Sequence, residues 1–275
     1  MPCVCARHLR LPCVWLAFST VFAVLSPSAL PQTPRLTREA EVVAAGRKLL
    51  AAYPSHLASV DGTTLVWRDG TRMPLDDGTP DKSFADWLRA PDLKDMFRVP
   101  YRVTPEASPP PPESDPGRAR SATFFAKMYG DCSKGEVSRH LVEVAWLPGR
   151  SRSKLQVTRV NGVAEKLALI SAELDALAPS FDVYLLPPAG TYGCRAIAGT
   201  DQTSAHSYGI AIDIAIKHAH YWRWPKPPAG GKPVWRNAIP MEIVGVFERH
   251  GFIWGGRWHH HDTMHFEYRP ELLVP

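Results

Sequence analysis

The stretch "GIAIDIAI", Gly209–Ile216, constrains the fold more than any other. Ile210, Ile212, Ile214 and Ile216 fall on one side of an extended chain, and Ala211, Asp213 and Ala215 fall on the other. That is the period of a half-buried strand. Four isoleucines are predicted to face a core, while the opposite face carries one carboxylate between two alanines. An ionised carboxylate in a partly buried place needs a cation or several donors, and the alanines leave room above it. His206, ahead of the turn at Gly209, is placed to swing back over the strand. A metal ion shared by His206 and Asp213 satisfies both. A structural histidine beside an aspartate in an ordinary salt bridge fits this segment equally well.

A second stretch tips that balance. "WHHHDTMHFEYRP", Trp258–Pro270, also alternates, with Met264, Phe266 and Tyr268 against His265, Glu267 and Arg269. His265 therefore projects from the polar face of a predicted strand. Two such strands side by side bring His265 to His206 and Asp213. Two imidazoles and a carboxylate with an open fourth position make a catalytic zinc arrangement, not a closed structural one. Asp262 sits in the turn ahead of His265, where it can lean over the open position without being a ligand. There it would take a proton from water acidified by the metal and return it to a leaving amine. Its other reading is a turn-former or helix cap. Three successive histidines, His259–His261, cannot all reach one ion; His261 or His259 is expected to contact substrate. Glu267 reads either as support for His265 or as an exposed strand residue. His218 and His220 are expected to flank the cleft with Tyr221 and Trp222.

Elsewhere the pattern predicts helices over 39–53, 161–177 and 239–251, with Val163, Leu167, Ile170, Leu174 and Leu177 marking the buried face of the second. DG pairs at 61–62, 69–70 and 77–78 predict hairpins. Short helices are expected within 83–97 and 121–130, and strands at 140–148, 155–160 and 182–187. "PEASPPPPESDPG", residues 105–117, reads as an extended linker or loop. It divides an N-terminal accessory region of unknown role (30–104) from the domain that carries the motifs (118–275).

At the N-terminus, Arg7, His8 and Arg10 precede an apolar run, Leu11–Leu25, and small residues near Ser26–Ala29. That order is a secretory signal peptide over 1–29. The run is shorter than the ~20 residues of a membrane span and is interrupted by Pro12. The chain is thus expected to be exported, periplasmic or extracytoplasmic, with no stable membrane anchor after cleavage. Losing Arg7 and Arg10 lowers the formal charge from +5 to +3, with no basic block, so nucleic-acid binding has no support. The mature chain keeps Cys132 and Cys194, either one disulfide or two separate thiols.

The two motifs together, "SAHSYGIAID" ending at Asp213 and "DTMHFE" beginning at Asp262, resemble the zinc D-alanyl-D-alanine carboxypeptidase / L-alanyl-D-glutamate endopeptidase family. VanY- and VanX-like enzymes and the Hedgehog signalling domain share its fold. "GFIWGGRW", 251–258, is similar to the Trp/Gly-rich approach of the second motif. The resemblance implies an α+β fold in which a small antiparallel sheet carries the zinc site and helices pack on one side. It implies one zinc ion on His206, Asp213 and His265, with Asp262 as general base. From "GTYGCRAIAG", it implies Arg195 as substrate anchor and oxyanion stabiliser. Ser204 contacts substrate or caps its own turn. The implied substrates are peptidoglycan stem peptides, cut by a D-Ala-D-Ala carboxypeptidase or by an L-Ala-D-Glu type endopeptidase. A non-catalytic, zinc-stabilised wall-binding domain and a His-rich metal scavenger are the readings from other classes. Residues 218–238 are expected to form a rim or lid loop.

Overall fold

Short alternating runs broken by turns pair, among the described residues, into three small antiparallel sheets instead of one large one. In the computed structural model, residues 37–225 and 234–275 are described; the expected signal peptide and the middle of the expected lid loop lie outside them. The chain enters through α1 (Arg38–Ala52), whose first turn is capped by Thr37 Oγ1 accepting from the Ala40 amide at 3.3 Å. Next comes the predicted hairpin region, a meander of β1 (Leu57–Asp61), β2 (Thr64–Trp67) and β3 (Arg72–Pro74). After α2 (Phe84–Arg89) and the Pro-rich stretch, α3 (Ala122–Tyr129) leads into an antiparallel pair, β4 (Leu141–Ala145) with β5 (Lys154–Thr158). α4 (Val163–Asp175) buries Val163, Leu167, Ile170 and Leu174 as its spacing predicted, while Leu177 lies past the helix end and is only partly buried.

The third sheet is the one that matters for chemistry. β6 (Ala211–Asp213) and β7 (Phe252–Trp254) both pair antiparallel with β8 (His265–Tyr268), which runs between them. α6 (Met241–Arg249) packs on this sheet through Phe247, whose ring stacks on Phe266 at 3.9 Å. Phe266 therefore occupies one face of the strand and leaves His265 and Glu267 on the other.

Two expectations need correction. Residues 182–187 are not a strand: Asp182–Leu185 forms α5, entered through a 3₁₀ turn that starts at Pro179. Pro187 and Pro188 carry no N–H for a ladder, so the β-prone composition of this stretch does not prevail. The strand through Asp213 is shorter than its alternation suggests. Ile210, Ile212 and Ile214 are buried, but the chain turns into a 3₁₀ helix at Ile216–His218, leaving Ile216 54% exposed. Of the two readings of Glu267 the exposed one fails, since Glu267 and Arg269 are fully buried.

Those buried charges form a chain of ion pairs. Arg269 donates to Glu271 at 2.5 Å and to Glu267 at 3.0 Å, and also to the Gly117 carbonyl at 2.5 Å. Tyr53, at the end of α1, donates to Glu271 at 2.6 Å, and Arg120 holds the far side of Glu267 at 2.6 Å. Leu36–Pro275 forms one compact unit that includes the 105–117 stretch. Residues upstream of that stretch share a core with residues downstream; Phe124 of α3, for example, packs on Tyr53 and Trp67. Cys132 and Cys194 are joined as a disulfide. No described helix is long and apolar enough to cross a membrane.

Removing one partner from a buried ion pair leaves an uncompensated charge, which typically costs about 3–5 kcal/mol. Arg269→Met, which leaves Glu271 without a cationic partner and Glu267 with Arg120 alone among the arginines, is expected to lower stability by about that much in urea unfolding. A loss below about 1 kcal/mol would mean that the network contributes little.

Candidate metal centre

Backbone register makes the first contact of the site. Asp213 and His265 are directly opposed across the β6–β8 pair, and the Asp213 carboxylate lies 2.9 Å from Nδ1 of His265. His206 comes from a 3₁₀ turn, Ala205–Tyr208, that ends at Gly209 with φ +68°. Glycine is required there twice over. The left-handed backbone disfavours a side chain, and a Cβ would meet Leu141 Cδ2 at 2.9 Å and the Thr158 amide nitrogen at 3.0 Å. This turn carries Nε2 of His206 to 3.2 Å from both Asp213 Oδ1 and His265 Nδ1.

The three atoms are thus 2.9–3.2 Å apart. Ligands at 2.0–2.1 Å around a tetrahedral zinc are separated by about 3.3 Å, so the triangle is close to one face of that tetrahedron. The outer nitrogens are fixed as well. His206 donates its Nδ1–H to the Thr191 carbonyl, and Nε2 of His265 lies 3.2 Å from Glu267. Each imidazole is thereby oriented with its inner nitrogen free to bind, as a carbonyl or carboxylate behind a metal-ligating histidine does. Among the described residues this is one of two acidic or imidazole groupings of metal-site size. The other, Asp76, Asp77 and Asp92, is already bridged by Lys82.

Electrostatics agree with a cation-binding role. Burial pulls the pKa of His265 down, but hydrogen bonds to Asp213 and Glu267 overcome it and raise it to about 10. Burial opposes ionisation of Asp213, yet its bonds to His206 and His265 hold it well below the usual carboxylate range. Glu267 is also kept ionised against burial, mainly by Arg120, with His265 and Arg269 adding to it. A cation bound there would compete with a proton for His265.

Asp262 lines the same cavity, of about 230 Å³, with Arg195, Ser204, His206, Asp213 and His265. It is half-buried, and its Oδ1 is shut off from solvent with no hydrogen-bond partner among the described residues. Burial, helped by the Asp213 charge, pushes its pKa up to about 6. The turn that presents it depends on Gly255, where a Cβ would come within 2.5 Å of the Asp262 carbonyl oxygen. An acid left unpaired beside an open ligand triangle is suited to carry a proton.

The remaining expected residues divide. Arg195 is exposed on the cavity wall. Its backbone is pinned by Ser207, which accepts from the Arg195 amide at 2.9 Å and donates to its carbonyl at 2.8 Å, and by the disulfide at Cys194. Ser204 is buried on the wall and also caps its own turn, accepting from the His206 amide at 3.4 Å. His261, expected to contact substrate, is buried next to Trp235 and does not line the cavity; Tyr221 and Trp224 stand on that wall instead. His260 is held by Asp115 at 2.7 Å. Sequence reasoning missed Arg118 and Arg120, both on the cavity wall. Two arginines at strand spacing directly after the Pro-rich stretch, "GRAR", were the available signal.

A His/Asp/His triangle opening on a cavity beside an unpaired acid has the make-up of a metal-dependent hydrolase site. Residues 198–268, which contain His206, Asp213, Asp262 and His265, match the model of a family described as D-alanyl-D-alanine carboxypeptidase. Over this stretch the chain is similar to that family, as the two motifs suggested. No curated protein and no solved structure matches the chain.

Because Glu267 orients His265 from behind, Glu267→Gln is expected to weaken zinc binding by about 10–100-fold. Competition with a chromogenic chelator measures this. Unchanged affinity would show that Glu267 serves only the ion-pair chain.

Proposed function

We propose that the protein is a zinc peptidase that hydrolyses peptidoglycan stem peptides, acting as a D-alanyl-D-alanine carboxypeptidase. The observation that carries this reading is the unpaired Asp262 Oδ1 in the same cavity as the ligand triangle. His206 Nε2, Asp213 Oδ1 and His265 Nδ1 would hold one zinc ion. When bound, zinc supplies Lewis-acid polarisation of a carbonyl and acidification of water. Asp262 accepts the proton of the attacking water on Oδ1 and later delivers it to the departing amine nitrogen, so one carboxyl serves as base and then acid. Arg195, held by Ser207 and the Cys132–Cys194 bridge, points its guanidinium to the charge that develops on the carbonyl oxygen. Glu267 keeps His265 in the tautomer that binds through Nδ1.

The fold we infer for this region is the Hedgehog/DD-peptidase type, with the β6–β8–β7 sheet as its zinc-bearing sheet. We place the protein outside the cytoplasm, where the family's wall substrates are. A zinc-stabilised domain that only binds the wall gains nothing from a raised, unpaired acid, so Asp262 favours catalysis.

Zinc-loaded protein is expected to release D-alanine from a peptide ending in D-Ala-D-Ala, to lose that activity in EDTA and to regain it with zinc. Asp262→Asn is expected to cut kcat by about 10²–10⁴-fold while zinc content is unchanged. Full activity of that variant would remove Asp262 as the proton carrier. Mass analysis of digested muropeptides separates carboxypeptidase from endopeptidase products.

A further inference from the structure

A second cavity, of about 310 Å³, adjoins the metal cavity and shares Arg118 and Arg120 with it. One wall is the end of α2, Leu88–Pro91, from the region upstream of the Pro-rich stretch. The opposite wall is the 201–203 loop, tied to α2 by Gln202 donating to the Leu88 carbonyl. Three arginines, Arg89, Arg118 and Arg120, face one aspartate, Asp201, around this space.

The two shared arginines differ in what they have left to offer. Arg120 is consumed by the protein: Nε and Nη2 bind Glu267, and Nη1 binds the Arg118 carbonyl at 3.3 Å. Arg118 makes a single hydrogen bond among the described residues, from Nη1 to the His260 carbonyl at 2.9 Å, and lies over the Trp258 ring at 5.2 Å. A guanidinium has five N–H donors, so most of those on Arg118 remain for a ligand. Nearby Asp115 does not use them, because its oxygens accept from the amide and ring of His260.

We propose that the second cavity is a substrate subsite for the acyl side of the peptide, and that Arg118 at its threshold binds a carboxylate carried there. This rests on the carboxypeptidase reading, in which the leaving group is one residue and the rest of the substrate extends on the acyl side. Arg118 suits the task because a partly buried, stacked guanidinium is oriented in advance and loses little freedom on pairing. The upstream region, 30–104, thereby contributes a wall of the substrate cleft.

Product peptides test this without turnover. N-acetyl tetrapeptides ending in D-Ala, identical except for Glu or Gln at the second residue, are titrated against the zinc-loaded full chain at fixed salt. The Glu peptide is expected to bind about tenfold more tightly, the range of one charge-assisted hydrogen bond. Arg118→Gln should erase the difference. Thr123→Glu, on an exposed part of the same wall, should reverse it and keeps the test decisive if the Arg118 variant does not fold. Equal binding of the two peptides, no binding of either, or a preference that survives both substitutions overturns the subsite. If the preference holds but the corresponding D-Ala-D-Ala pentapeptides release no D-alanine, the carboxypeptidase reading fails and the anion subsite stands.

Discussion

Glu267 is the residue through which the core and the site depend on each other. Its carboxylate meets His265 on one side and the guanidiniums of Arg120 and Arg269 on the other. A fully buried carboxylate is tolerated only with such partners. The same contacts fix the tautomer of the imidazole and anchor β8 to α1 through Glu271 and Tyr53. Stability and site geometry are therefore one problem here. The strand that carries His265 is held in place by charges that lie beneath it, on its own sequence and on distant elements.

A second dependence runs through the loops. The 3₁₀ turn at Ala205–Tyr208 brings His206 over β6 only because Gly209 can adopt φ +68° against β5. The same turn uses Ser207 to clamp the backbone of Arg195, and the disulfide at Cys194 fastens the adjacent residue to the end of α3. One short turn thus sets both His206 and the backbone of Arg195. On the other rim, the Pro-rich stretch lies across the histidine run, with Asp115 on His260 and the Pro116 carbonyl accepting from Trp258. The three adjacent histidines pack on one another and on Trp222 and Trp235, and Asp262 and His265 are the titratable members of that stretch that line the cavity.

What could be read in advance was local. Alternation placed Asp213 and His265 on strands, and the spacing of Asp262 to His265 put an acid in the turn before the ligand. Helical periodicity found α1, α4 and α6, because an amphipathic face repeats within the segment itself. The same reasoning overran at Ile216 and misplaced 182–187, where prolines and a change of chain direction outweigh residue propensity. It also treated the polar side of β8 as open to choice, because nothing within the strand says what covers it.

The sequence by itself determined the residue types of the site, their order and the strand period that points a carboxylate and an imidazole to the same side. Tertiary structure decided the register that opposes Asp213 to His265 and the burial that leaves Asp262 unpaired. It also decided the arrival of Arg118 and Arg120 from beyond the Pro-rich stretch. The reason is physical. Periodicity reports only which side of an element a residue takes, whereas pairing of charges depends on distance, and Arg120 reaches Glu267 from 147 positions away in the chain.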